Sequence, residues 1–230
     1  MQPVKDGAAG AQAVANGQAL ISIAGAGGFY PYMEIAGNLR VVAFYSDGIY
    51  RIQVADESPI KTMADLKGKV IGVQSLGSGS YQFDRILVQK AGLDPDKDVS
   101  WLPVGVGNQA AAAYQSGAIQ AIGLWDAANV LAFNMIEVEK VRTLDSPMNG
   151  LPGMSHVIVS SDTIEKSPEL VVGMLRAFWK SIVWAGANPE AAVALHWKQF
   201  PEQQPPAADR EKRAALAKRL LETRLALAQP

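Results

Sequence analysis

The sequence predicts an α/β fold built on a largely parallel sheet, and three observations predict it. A strand-then-helix unit recurs three times between residues 70 and 133, and such alternation joins parallel strands through crossover helices. The chain has 230 residues, 49% hydrophobic and 19% charged, which suffices for one or two cored α/β domains. Downstream, Ser167-Pro168-Glu169 and Asn188-Pro189-Glu190 each set a capping residue, a proline and an acid in the order that starts a helix.

Taken in order, residues 1–7 are polar and lead into a small helical run over 8–16. Residues 19–24 read as a short buried strand, Gly25-Ala26-Gly27-Gly28 as a tight loop at its end, and 30–36 as a helix stopped by Gly37-Asn38. Residues 39–45 and 50–54 read as strands around Ser46-Asp47-Gly48, and the polar stretch 57–61 as the first crossing between domains. The repeated units pair strand 70–73 with helix 81–91, strand 99–104 with helix 109–116, and strand 118–124 with helix 127–133. The loops leaving these strands gather on one sheet edge, where open α/β folds take ligands. Residues 142–154 form a loop, and 156–159 a buried strand that crosses back. The two proline-started helices are expected to bury Val171, Leu175, Phe178, Trp179, Ile182 and Val183, then Ala192, Leu195, Trp197 and Phe200. A linker over 201–206 precedes a charged helix at 211–227 with Leu216, Leu220 and Leu221 on its apolar side.

Composition excludes several functions. A formal charge of -1 provides no basic field for nucleic acid. Without cysteine there are no disulfides, thiolate metal sites, iron–sulfur clusters or cysteine nucleophiles. His156 and His196 stand apart without a metal-binding spacing, so neither a metal nor any other cofactor is expected. No apolar run approaches the ~20 residues that span a bilayer.

The strongest local signal is Gln74-Ser75-Leu76-Gly77-Ser78-Gly79-Ser80, a glycine- and serine-rich entry to a helix after a buried strand. Glycines admit close backbone approach, and hydroxyls with unpaired helix N–H groups suit an anion. The plain alternative is a βα loop with a serine cap. No Gly-Lys-Ser/Thr closes it, so it is not a phosphate-binding P-loop.

Further carriers are Ser58-Pro59-Ile60, Ala64-Asp65-Leu66-Lys67-Gly68-Lys69-Val70-Ile71-Gly72-Val73, and Ser116-Gly117-Ala118-Ile119-Gln120-Ala121 running to Trp125-Asp126. With the two proline-started helices, their order and spacing resemble periplasmic solute-binding proteins of the type II, two-lobed class. Within that class the chain is similar to the sulfonate, nitrate and thiamine-precursor binding family of ABC importers. It departs from the family at Gln120 and Ala19, where an acid is usual.

The resemblance implies two lobes, each a mainly parallel sheet flanked by helices, with lobe one at 1–61 and 155–230 and lobe two at 62–154. It also implies that the leader, and the first strand and helix of lobe one, lie outside these 230 residues. The expected activity is capture of a small organic anion, sulfonate or carboxylate, by a monomer. The expected partners are an ABC permease and its ATPase in the periplasm or another exported location. In that reading Leu76, Gly77, Ser78, Gly79 and Ser80 hold the acid group. Gly25, Ala26, Gly27 and Gly28 offer backbone donors, with Phe29 and Tyr30 able to stack on the ligand or pack inward. Asn108 and Gln109 bond ligand or cap a helix; Trp125 walls the cleft; Asp126 meets a ligand amine or caps. Tyr45 and Asp47 line cleft or hinge, and His156 follows the return crossing. Alternatives are an enzyme of the thiamine-pyrimidine or menaquinone-pathway type on the same scaffold, for which the cysteine-rich motif is missing, and a ligand-sensing domain.

Overall fold

The computed structural model describes residues 4–149, 154–201 and 204–228. Among them the chain builds two sheets. The smaller has the order β1 (Ile21–Gly25), β8 (Ser155–Ser160), β2 (Leu39–Ser46). The larger has the order β5 (Ser100–Pro103), β4 (Val70–Val73), β6 (Ala121–Trp125), β3 (Tyr50–Ala55), β7 (Val141–Thr143). Gly150 to Gly153, part of the predicted return loop, lie outside the described residues.

The larger sheet owes its middle to the repeated units. β4 pairs in parallel with both β5 and β6, joined by α3 (Gly79–Lys90) and α4 (Asn108–Gln115), with α5 (Asp126–Met135) after β6. α3 forms because Ser78 caps it and Phe83, Leu87 and Val88 fall on one buried stripe. Ile119, Ile122, Leu124 and Phe133 form a second core cluster with α4 and α5.

Two expectations about the sheets are corrected. Strands 39–45 and 50–54, both expected in the first part of lobe one, belong to different sheets. β3 is buried on nearly every residue, as befits a strand covered on both faces, and it pairs antiparallel with β6 and β7. Sheet membership therefore changes between Ser46 and Tyr50, ahead of the 57–61 stretch. The smaller sheet, expected to be mainly parallel, has only antiparallel pairs. Its β1 and β2 do run the same way, linked through α2 (Ala26–Ala36), but β8 returns from the larger sheet and inserts between them, facing both.

α2 starts directly on β1, so the expected loop at Gly25 to Gly28 is helix from Ala26 onward, and Gly37 ends it in the left-handed region with φ 68°. α1 (Gly7–Ala15) lies against α2 and β1. A single core cluster joins the two sheets: Phe29 and Leu39 from one side meet Ile52, Leu66, Ile71 and Leu87 from the other, with Ile158 on β8. Each such side chain contributes ~1.5–3 kcal/mol on burial.

The C-terminal helices are less buried than their apolar stripes predict. In α7 (Pro168–Ala187) Val171 is buried, whereas Val183 is 63% exposed and Leu175, Phe178, Trp179 and Ile182 are half-buried. In α8 (Pro189–Gln199) Val193 is buried and Leu195 exposed. α7 also has the length and composition to cross a membrane, contrary to the expectation from runs, although Arg176 and Lys180 interrupt it. Neither helix is capped by the side chain that precedes its proline; Asn188 instead donates to the Trp184 carbonyl and closes α7. α6 (Ser161–Lys166) follows β8, and α9 (Arg210–Leu225) packs on α8 and α5.

Two buried titratable groups lack partners on buried atoms. Both carboxyl oxygens of Asp84 on α3 are unpaired, and a Cβ at Gly123 would lie 2.1 Å from one of them. Burial pushes Asp84 well above the carboxylate range. On β8, His156 has an unpaired Nδ1, and burial pushes it down to about 4. The signs oppose. The folded chain keeps the Asp84 proton that the unfolded chain sheds above about pH 4, so this group lowers stability as pH rises. The folded chain refuses the His156 proton that the unfolded chain takes up below about pH 6.5, so this group lowers stability as pH falls toward 4. We expect Asp84→Asn to unmask a stability that climbs between about pH 4 and 6.5, and His156→Gln to leave one that declines from about pH 4 upward. Thermal unfolding across pH measures both; identical profiles for all three proteins would refute the assignment.

Candidate functional site

The candidate site lies where the two sheets' helices meet end to end. The starts of α2 and α3 come from different sheets and press together: a Cβ at Gly27 would lie 2.7 Å from the Gly79 carbonyl oxygen. Tyr50, at the start of β3, fills the wedge between them. Its hydroxyl stands 1.3 Å from where a Cβ of Gly25 would be and 2.3 Å from that of Gly79. Only glycine fits at either place. Burial, then the neighbouring Tyr45, pushes the Tyr50 phenol above its ordinary value, while Arg224 works the other way. Beside this contact a cavity of about 760 Å³ opens between α2 and α3. Gly27 and Tyr30 line it from one side, Gln82 and Arg85 from the other. Asp96 holds Arg85 through two bonds of 2.7 and 2.8 Å.

The predicted site residues divide into three places. Gly25, Gly27, Tyr30 and Gly79 belong to the wedge and cavity. Ala26 is buried in the first turn of α2, and its N–H is spent on the Met154 carbonyl. Gly28 packs against α1, where a Cβ would lie 3.0 Å from the Gly7 Cα. Phe29 is fully buried and is core; only Tyr30, half exposed, can meet a ligand. His156 is fully buried between Phe29, Tyr30 and Phe44 at centroid distances of 4.8, 5.4 and 4.7 Å. Its Nε2 lies 3.2 Å from the Tyr30 hydroxyl, so it supports that ring from behind.

In the β4–α3 loop, the Ser78 and Ser80 hydroxyls are buried and lie 3.1 Å from each other. Ser78 donates to the Ser75 carbonyl and accepts the Tyr81 N–H, which is the capping alternative. Leu76 is exposed, and Gly77 faces the Asp6 carboxylate. Asn108 and Gln109 are exposed at the start of α4, with the Gln109 side chain against Gly105; the cap position is Gly107, at φ 63°. Asn108 lines a crevice toward α9 with Lys212 and Arg213.

The third place is around Asp126, whose carboxylate is neither a cap nor open. Arg224 of α9 binds it through two bonds of 2.6 and 3.0 Å, with the Asp126 side chain 1% exposed. The Arg224 guanidinium also lies 3.5 Å from the Tyr45 hydroxyl. Asp47 donates its N–H to the Leu227 carbonyl. Trp125 is half-buried and packs on both core clusters. Sequence reasoning missed Arg224, whose partner is 98 residues away; an arginine in the last turn of an otherwise solvated helix was the available signal.

The family model described as NMT1/THI5 like matches residues 1–192. The chain belongs to this family. It is 28% identical over 167 residues to a Brucella abortus protein whose name gives only binding, covering 71% of this chain and 50% of that one. It is 31% identical over 147 residues to an Escherichia coli protein named for binding aliphatic sulfonates, covering 63% of this chain and 43% of that one. The chain thus spans about half the length of the curated relatives it matches. Among solved structures, the alkanesulfonate-binding protein SsuA of Xanthomonas axonopodis, bound to MOPS, superposes with a TM-score of 0.72 at 22% identity, covering 99% of this chain and 74% of that one. The periplasmic aliphatic sulphonate binding protein SsuA of Escherichia coli gives 0.72 at 25% identity, covering 96% and 71%. The fold is therefore that of the periplasmic binding proteins.

Two substitutions test this geometry. Gly79→Ala should destabilise by about 1–3 kcal/mol through overpacking on the Tyr50 hydroxyl, and adding Tyr50→Phe should recover much of the loss in urea unfolding. Equal costs with and without the hydroxyl would count against the wedge. Arg224→Ala strands a buried carboxylate and should cost about 3 kcal/mol; Asp126→Asn in the same chain should restore most of it.

Proposed function

We propose that this protein is the substrate-binding component of an ABC importer and captures a small organic anion between the two sheets. The observation that carries the reading is the convergence of two helix starts from different sheets on one point beside a cavity that also holds Arg85. Helix starts carry positive potential, so an acid group in the cavity beside this junction would be favoured by both. Tyr30, exposed and backed by His156, offers a ring for an organic tail. The family membership and the names of the sulfonate-binding relatives support the same ligand class. Hinge closure around the ligand would present the form a permease recognises, in the periplasm or its equivalent.

A catalytic role has less behind it. The chain has no cysteine, and its two histidines are a buried one behind aromatic rings and one on the exposed helix α8.

Thermal unfolding with alkanesulfonates, aromatic sulfonates, carboxylates and nitrate tests the proposal. A true ligand at 100 times its Kd adds ~2.7 kcal/mol. A shift confined to organic anions is the expected result. A folded protein indifferent to every organic anion would reject it.

A further inference from the structure

A carboxylate already sits on the loop between β4 and α3, and it belongs to the chain itself. Asp6 precedes α1, on the side of the smaller sheet, while the loop belongs to the larger sheet. One Asp6 carboxylate oxygen accepts the Ala9 N–H at 3.0 Å and caps α1. The other accepts the Ser75 hydroxyl at 2.8 Å. The Gln74 side-chain amide donates to the Lys5 carbonyl at 2.8 Å and fixes the approach. A Cβ at Gly77 would stand 3.0 Å from the same carboxylate oxygen, so the glycine leaves the space that the carboxylate enters. Ser75 is buried, and removing Asp6 would strand its hydroxyl.

We propose that Ser75 and Gly77 form a carboxylate-binding site which Asp6 occupies as a resident substitute for a free carboxylate. The contact joins the two sheets in the manner of a bridging ligand, and it bars free carboxylates from the loop while Asp6 is present. The inference rests on these contacts alone and stands whether or not organic anions bind beside α2 and α3.

Chemical rescue tests it. Asp6→Gly should unfold at lower urea than the parent, and sodium formate should raise its midpoint saturably, while sodium chloride at equal ionic strength should not. The parent protein, with its site filled, should gain nothing from formate beyond the chloride control, and Asp6→Gly combined with Ser75→Ala should lose the rescue. Formate acting equally on parent and variant, or on neither, would overturn the proposal. Should Asp6→Gly fail to fold, Asp6→Asn keeps the cap. Ser75→Ala should then lower the midpoint more in the parent than in the Asp6→Asn background, and equal losses in the two would overturn it as well.

Discussion

Everything in this molecule hangs on the absence of three side chains. Gly25, Gly27 and Gly79 let the start of α2 approach the start of α3 to backbone distance, with the Tyr50 hydroxyl as the filler between them. Helix starts carry like partial charge, so pressing two together is electrostatically unfavourable unless an acceptor stands nearby. The packing that opposes this cost is the shared core, where Phe29 and Leu39 meet Ile52 and Leu87. The two sheets are thus joined by apolar contact, and the polar junction lies beside it.

Around that core the chain distributes charge unevenly. Asp126 is buried and answered by Arg224 from a remote helix, and Asp6 is answered by a serine hydroxyl from the opposite sheet. Asp84 has no such partner and keeps its proton. Both answered carboxylates tie elements remote in sequence, whereas the unanswered one lies between α3 and the strand it covers. A buried ion pair adds little net stability by itself, but breaking it is costly.

Much of the fold was legible because local rules sufficed. Ser78 before Phe83, Leu87 and Val88 announces α3, and the repeated units announce the parallel core of the larger sheet. Burial of β3 on both faces was not legible, since Tyr50-Arg51-Ile52-Gln53-Val54 alternates apolar and polar residues, the pattern of a strand buried on one face only. The candidate site was legible as glycines and not as geometry. Gly25, Gly27 and Gly79 announce close approach, but what approaches them is Tyr50 and each other. Ser78 and Ser80 read equally as donors or caps; Ser78 caps α3, and the Ser80 hydroxyl lies beside that of Ser78. Asp84 did leave a trace: it interrupts the apolar stripe of α3 at a buried position. Arg224 left only its place in the last turn of α9, and Asp6 left none, because their partners lie 98 and 69 residues away.

The insertion of β8 between β1 and β2 has a consequence for the order of assembly. Among the described residues β1 and β2 precede β8, and neither has a strand neighbour in its own sheet until residues 155–160. By then every strand of the larger sheet has been made, and its parallel units can close on sequence-local contacts. Among the described residues, the smaller sheet is therefore completed only after the strands of the larger one. Among the described residues, a chain ending before residue 155 would leave β1 and β2 without the strand that lies between them, and unpaired strands are prone to association.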